Sequence, residues 1–220
     1  MTQIDHHAGH ELALFFSKYP SFHFGKHEHL LHPCHNIEQV YYLCSGAIRQ
    51  YTLAKNGNEL TITIFKPGTM LFFLQLFNQS NSENQYYYQA LEPSTVQIAP
   101  FLETKTYLQA HGKLLLEFLG RMSRGLEGFS NYFRIMILGT GCEKVSALLL
   151  MLSERFGKQI KEGTLIDLAL THYDLACMIG ISRETLSKIM EQLEQQRLLV
   201  HKSKKTIIIN LLGLQKLSIV

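Results

Sequence analysis

The chain has 220 residues, 46% of them hydrophobic, and only five prolines, so it can bury one mid-sized core or two small ones and is no fibrous or disordered chain. Its net charge is +3, and the excess is local: from Thr140 onward there are 11 Lys and Arg against 8 Asp and Glu, whereas residues 1–139 carry 10 of each. No apolar run reaches the roughly 18 residues of a membrane span, and MTQIDHHAGHE lacks the layout of a secretory signal, so a cytoplasmic protein without membrane contact is expected. The cysteines, Cys34, Cys44, Cys142 and Cys177, are far apart with no C-x-x-C pair. That pattern fits reduced thiols better than a disulfide framework or a zinc site.

Residues 1–20 suggest a short amphipathic helix with Leu12, Leu14, Phe15 and Phe16 as its apolar side. From Ser21 to Pro100 the chain turns to short alternating or apolar runs: His29–His32, Gln39–Cys44, Ala47–Leu53, Leu60–Phe65, Tyr86–Leu91 and Thr95–Ala99. Turn signals at Ser45-Gly46, Lys55-Asn56-Gly57-Asn58 and Lys66-Pro67-Gly68 separate them, which predicts a sandwich or small barrel of jelly-roll type.

Eight of the eleven histidines precede residue 36. His27 and His29 share one side of a strand, as metal ligands often do, with His32, Cys34 and His35 nearby. Jelly-roll cupin enzymes bind iron or manganese through such a His-x-His pair. They also need a glycine well ahead of it and a carboxylate a few residues after; Gly25 is too near and Glu38 too far. The expectation is no enzyme and no catalytic residue, with surface imidazoles favoured and a regulatory metal or haem on these histidines left open.

His111 to Leu138 reads as one long helix. Leu115, Leu119, Met122, Leu126, Phe129, Phe133 and Met136 alternate in steps of four and three, the seam two helices share in a coiled coil. The seam predicts a homodimer; the alternative is that it lies against the chain's own β domain. Gly139-Thr140-Gly141 breaks this helix and offers a hinge. A helix over Glu143–Phe156 follows, with Val145, Leu148, Leu149 and Leu152 apolar, and then a short strand over Leu165–Leu170.

Thr171 to Val200, THYDLACMIGISRETLSKIMEQLEQQRLLV, reads as a helix-turn-helix. Thr171 caps a first helix with Asp174 three residues on, Gly180 makes the turn, and Ser182 caps a second helix. Leu175, Ile179, Ile181, Leu186 and Ile189 fall where two crossing helices face one another, with Ala176 at the close approach. Leu186, Ile189, Met190 and Leu193 form the second helix's apolar stripe, so Arg183, Glu184, Ser187 and Lys188 point outward. Arg and Lys donate to guanine, Glu accepts from cytosine, and Ser serves base or phosphate, so the pattern points to major-groove DNA. An ordinary helical hairpin with a solvated face is the bland alternative, and a scaffold role is another.

SRETLSKIMEQLEQQRLLV, with the basic Lys202–Lys205 and strand-like Thr206–Asn210, resembles the winged helix of the Crp/Fnr family of bacterial transcription regulators. GKHEHLLHPCHNIEQVYYLCSGAIRQYTLAKNGNELTITIFKPG is similar to that family's double-stranded β-helix sensor domain. The resemblance implies that Arg183, Glu184 and Lys188 read the half-site, although the family more often has Arg where Lys188 stands, and Lys makes no planar bidentate contact. Thr171, Ser182, Thr185, Ser187, Lys202 and Lys204 complete the expected DNA-contact set. The resemblance also implies dimerisation through the long helix and places Phe129 and Ser130 beside an effector.

Members that bind cyclic nucleotides carry a Gly-Glu pair after the Phe-x-Pro-Gly region and an Arg-Ser pair about ten residues on. Here Phe72-Phe73 stands at the first place, and only polar residues without a cation occupy Asn78–Gln85. A buried cyclic phosphate would lack a partner at a cost of several kcal/mol, so cyclic AMP and cyclic GMP are argued against and no cofactor is predicted. Phe72, Phe73, Phe77, Tyr86, Tyr87 and Tyr88 either line an apolar effector pocket or pack the sandwich interior. Iron-sulfur sensing is disfavoured because no cysteine precedes Cys34.

The expected molecule is α+β: a jelly-roll sensor domain over 1–110, a dimerisation helix over 111–138 and a winged helix-turn-helix over 139–220. It would bind a near-palindromic duplex as a homodimer, with RNA polymerase as a further partner if it activates. A change in the sensor would shift the population in which two recognition helices stand one DNA turn apart.

Overall fold

The computed structural model describes residues 3–34, 37–76 and 84–218. His35, Phe77 and most of the polar stretch Asn78–Gln85 therefore lie outside the described residues. The chain divides into two compact units, residues 1–52 with 62–126 and residues 53–61 with 127–220. The boundary falls inside the long helix, so that helix forms no separate unit.

The first unit begins with α1 (Gln3–Phe16). Leu12, Phe15 and Phe16 are buried, whereas Leu14, expected on the same side, is 56% exposed. Three consecutive residues of a helix span most of its circumference, so Leu14, Phe15 and Phe16 cannot share a side. Leu12, Phe15 and Phe16 stand at i, i+3 and i+4 and define the stripe.

Among the described residues eight strands follow: β1 (Ser21–Phe24), β2 (His29–Leu31), β3 (Gln39–Ser45), β4 (Ile48–Leu53), β5 (Glu59–Phe65), β6 (Met70–Leu71), β7 (Tyr87–Ala90) and β8 (Ser94–Pro100). They form two four-stranded sheets, ordered β1-β8-β3-β6 and β2-β7-β4-β5. Leu43, Leu71 and Val96 of one sheet share a core with Leu31, Ile48 and Tyr88 of the other, which is the packing of a sandwich. The expected turn glycines, Gly46, Gly57 and Gly68, all have positive φ.

β3 reads as a continuous apolar run because both of its faces are covered. Leu43 enters the sandwich core, while Val40 and Tyr42 pack beneath Leu12 and Phe16 of α1, Leu108 of α2 (Phe101–Ala110) and Leu114 and Phe118 of α3 (Gly112–Leu138). Phe16 and Tyr42 stack with centroids 4.9 Å apart. β1, β6 and α2 had no strong sequence signal: β1 is mostly exposed and β6 has two residues.

In α3, Leu114, Phe118 and Ile135 are buried. Leu119, Met122, Leu126, Phe129 and Phe133, members of the predicted seam, are exposed, and Leu115 and Met136 are half-buried. The apolar seam is thus mostly open along the single chain.

The second unit contains α4 (Gly141–Phe156), whose Val145, Leu148, Leu149 and Leu152 are all buried. Thr140 caps α4 in a capping box with Glu143, and these hydrogen bonds hold the Glu143 carboxyl below its ordinary value. Space matters here as well as the hinge freedom expected from Gly139-Thr140-Gly141. A Cβ on Gly139 would stand 2.6 Å from the Ile135 carbonyl oxygen, and one on Gly141 would stand 3.0 Å from Ile189 Cδ1.

The strand expected over Leu165–Leu170 is instead an antiparallel hairpin of β9 (Gly157–Ile160) and β10 (Gly163–Ile166). Leu168 and Leu170 are buried outside any strand; they look like strand residues in sequence because they are core residues. α5 (His172–Ile179), α6 (Arg183–Gln195), β11 (Leu199–Lys202), β12 (Lys205–Ile208) and α7 (Leu211–Lys216) complete the unit. Its sheet runs β11-β12-β10-β9, and α4 packs on α5, α6 and α7. Asp167 bridges Lys158 and Lys205, each at 2.6 Å. No helix among the described residues is long and apolar enough to cross a membrane.

Candidate nucleic-acid interface

The helix pair α5–α6 is built as its residues dictate. The Thr171 side chain accepts from the Asp174 backbone N–H at 3.1 Å, and the Asp174 carboxylate accepts from the Thr171 backbone N–H at 2.8 Å, closing a capping box. Gly180 ends α5 in the left-handed region at φ 67°, which lets the chain reverse without a Cβ clash. Ser182 then accepts from the Thr185 backbone N–H at 3.1 Å. Leu175, Ala176 and Ile179 of α5 and Leu186, Ile189, Met190 and Leu193 of α6 are buried; Ile181 is half-buried.

That packing fixes the rotation of α6 and leaves Arg183, Glu184, Thr185 and Lys188 exposed on its first turns. Ser187 differs. It is half-buried, and its hydroxyl lies 2.8 Å from His172 Nδ1 on α5. The outward set is therefore a guanidinium, a carboxylate and an ammonium, with Ser187 tied across the helix pair. The Glu184 carboxyl sits below its ordinary value through hydrogen bonds to its own backbone and to Ser182, so it is an acceptor at neutral pH.

Beside α6, β11 and β12 form the wing. Ser203 and Lys204 connect them with φ of 51° and 66°, the pair of left-handed residues that a tight type I′ hairpin demands. Lys202 and Lys204 are exposed, while Lys205 is occupied by Asp167. Neither loop residue is a glycine, so each carries left-handed strain. Ser203→Asn, which tolerates that conformation better, is expected to stabilise the protein by a few tenths to about 1 kcal/mol, read as a higher midpoint in urea unfolding.

Three residues that sequence reasoning did not select line the same face: His172, Tyr173 and His201. His172 directly follows the N-cap, a position at which a side chain projects beside the helix terminus, and that placement was the available signal. In the same unit, the Tyr132 hydroxyl of α3 donates to the Met178 carbonyl near the end of α5. Burial pushes the Tyr132 phenol up to about 12, so it remains a donor at physiological pH.

Residues 143–217 match the Crp-like helix-turn-helix domain, and residues 21–109 match the cyclic nucleotide-binding domain. The global nitrogen regulator of Nostoc sp. is 26% identical over 186 residues, covering 84% of this chain and 83% of that protein. The anaerobic regulatory protein of Bacillus subtilis is 27% identical over 173 residues, covering 78% and 71%. FixK2 from Bradyrhizobium japonicum superposes with a TM-score of 0.76 at 18% identity, over 92% of this chain and 98% of that one. The chain belongs to the Crp/Fnr family of transcription regulators.

The α5–α6 pair therefore belongs to a Crp-like helix-turn-helix domain and is not an arbitrary helical hairpin. The cupin alternative falls with it, since these relatives are regulators.

Within the first unit, the residues considered for an effector pocket face different ways. Phe72 and Tyr88 are buried in the sandwich core, with Tyr86 against it; the Phe72 and Tyr88 rings meet at 4.7 Å. Gln50 Nε2 donates to the Tyr88 hydroxyl at 3.1 Å, and burial raises that phenol. Phe73 turns to the helix-covered side and stacks on Phe118 at 4.6 Å. Tyr87 points away from Tyr88, as strand alternation requires, and stacks on Tyr51 at 4.9 Å. Phe129 and Ser130 are exposed on α3 in the other unit.

His29 and His32 join the same aromatic layer. His29 Nε2 lies 2.9 Å from the Tyr51 hydroxyl, and the His29 and His32 rings are 4.7 Å apart. The backbone carbonyl of His27 accepts from Gln89, and Cys34 is an exposed free thiol. Among the described residues, no three of His, Cys, Asp or Glu group as a metal site.

Proposed function

We propose that this regulator binds a near-palindromic DNA duplex as a homodimer joined along the α3 seam, in the cytoplasm, and that a signal other than a cyclic nucleotide controls it. The observation that carries the reading is the presentation of Arg183, Glu184 and Lys188 on the exposed start of a doubly capped helix pair, beside the wing lysines Lys202 and Lys204. Two copies of a short recognition helix are the usual way to obtain enough base contacts, and closed two-fold symmetry then makes the site near-palindromic. An activating role would add RNA polymerase as a partner.

Selection from a random duplex pool tests this. The protein is expected to enrich one inverted repeat with half-sites about 10 base pairs apart and to lose affinity steeply as salt rises. Enrichment of no sequence, or binding indifferent to salt, contradicts the reading.

The case against cyclic nucleotides rests on Phe72 and Tyr88 filling the sandwich interior with rings and on the absence of Lys or Arg from Asn78–Gln85. A ligand at a hundred times its Kd stabilises the folded state by about 2.7 kcal/mol. Millimolar cyclic AMP or cyclic GMP is therefore expected to leave Tm unchanged, whereas a rise of several degrees in a thermal melt would overturn this part of the proposal.

A further inference from the structure

The DNA-reading face holds two imidazoles that base readout does not use. His172, the first residue of α5, and His201, the third residue of β11, lie with ring centroids 4.8 Å apart and planes inclined at 43°. Each Nδ1 meets a hydroxyl at 2.8 Å, His172 that of Ser187 on α6 and His201 that of Thr206 on β12. Both rings line a cleft of about 440 Å³ whose remaining walls are Thr171, Tyr173, Arg183 and Lys204.

The charges around the pair bear on the protonation of His201. Arg183 and Lys204 contribute two cations to the cleft. Glu194 of α6 is the facing anion, its carboxylate accepting from the His201 backbone N–H at 2.6 Å. His172 Nε2 is buried without a hydrogen-bond partner in the free protein. Burial and the neighbouring His172 push His201 below the ordinary imidazole value, with Glu194 opposing. The free cleft therefore disfavours the charged form of His201, whose ring stands in a cleft also lined by Arg183 and Lys204. A phosphodiester oxygen reverses that balance, because a negative charge against the rim favours the protonated form of an imidazole whose ring lines it.

We propose that this cleft seats one backbone phosphate of bound DNA and that the phosphate draws a proton onto His201, so that DNA affinity rises as pH falls. This rests on the DNA-reader assignment and adds a proton as the co-ligand. The sign follows from linkage: a group whose pKa is higher in the complex than in the free protein takes up a proton on binding. Affinity is flat above the bound-state value, climbs as pH falls through it, and levels off below the free-state value. Each unit of difference is worth about tenfold in affinity.

The test uses the full chain and the duplex enriched by selection, at constant ionic strength from about pH 8 to about pH 5.5, the range in which imidazoles titrate. Fluorescence anisotropy is expected to show affinity rising about tenfold or more as pH falls. Calorimetry in two buffers of different ionisation heat should show net proton uptake per protomer. His201→Gln should remove the uptake and flatten the profile, while keeping the selected sequence. A measurement without any variant completes the test: the His201 ring signal in a carbon-13 spectrum should titrate at a higher pH in the complex than in the free protein.

Unchanged uptake in His201→Gln, an unmoved ring midpoint, or linkage lost in His172→Gln but kept in His201→Gln would each overturn the proposal. An enriched duplex with a flat pH profile defeats the proton link alone, whereas failure to enrich any duplex defeats both this proposal and the reader assignment beneath it.

Discussion

Phe129→Glu combined with Phe133→Glu is expected to leave the protein monomeric at micromolar concentration and to reduce binding to its selected duplex by about a hundredfold or more. The two rings lie one helical turn apart with centroids at 6.2 Å, and they are 58% and 56% exposed in the single chain. Leu119, Met122 and Leu126 continue the same open stripe. Burying one such side chain contributes about 1.5 to 3 kcal/mol, and two-fold symmetry makes every substitution count twice. Four carboxylates facing one another across an apolar seam lose that contribution and add desolvation and repulsion. Because the rings are exposed before association, the monomer's fold should survive, with circular dichroism unchanged. Sedimentation velocity and anisotropy read the two effects. A variant that stays dimeric would show that the seam is not the interface.

The loss of DNA affinity follows because each half-site alone offers few contacts. Joining two readers makes the second binding event intramolecular, a gain of about 10² to 10⁴ without any new contact. The helix that would carry the seam also reaches the reader directly: within the second unit the Tyr132 hydroxyl of α3 holds the Met178 carbonyl near the end of α5, so a shift of α3 need not pass through a loop to move the helix pair.

The helix-turn-helix was legible because its information is local. Thr171, Asp174, Gly180 and Ser182 act within four residues of themselves, and their caps formed as their types require. The longer strands were legible through alternation and turn glycines. What failed depended on partners distant in sequence. β1 is a strand because β8 runs beside it, Ser21 opposite Gln97; its own exposed SFHF carries little pattern. The β9-β10 hairpin was displaced toward Leu168 and Leu170, whose apolar character reflects burial and not strand geometry. Ser187 was assigned outward by periodicity alone, which is blind to a histidine fifteen residues earlier waiting to bond it. The wing turn at Ser203-Lys204 lacked a glycine to announce it.

Arg183→Ala and Lys204→Ala are expected to separate base reading from backbone holding. Arg183 is the first residue of α6 and exposed, with its helix register fixed by buried Leu186, Ile189, Met190 and Leu193. A guanidinium so placed can grip the O6 and N7 edge of one guanine, and each such pair discriminates by about 1 to 3 kcal/mol. Its loss should reduce affinity for the selected duplex by that amount, relax the preference at a single base pair in each half-site, and alter binding to random duplex much less. Glu184→Ala should behave alike at a neighbouring pair, through the cytosine amino group it can accept from. Lys204 sits on the strained wing loop, where under the proposed reading its ammonium would meet phosphates that look the same at every step. Lys204→Ala should therefore weaken selected and random duplexes together and lower the salt dependence by about one counterion per protomer. Competition anisotropy across single-base variants, repeated at two salt concentrations, gives both quantities. Equal losses on selected and random DNA for Arg183→Ala would move that side chain from the bases to the backbone and leave Glu184 and Lys188 as the readers.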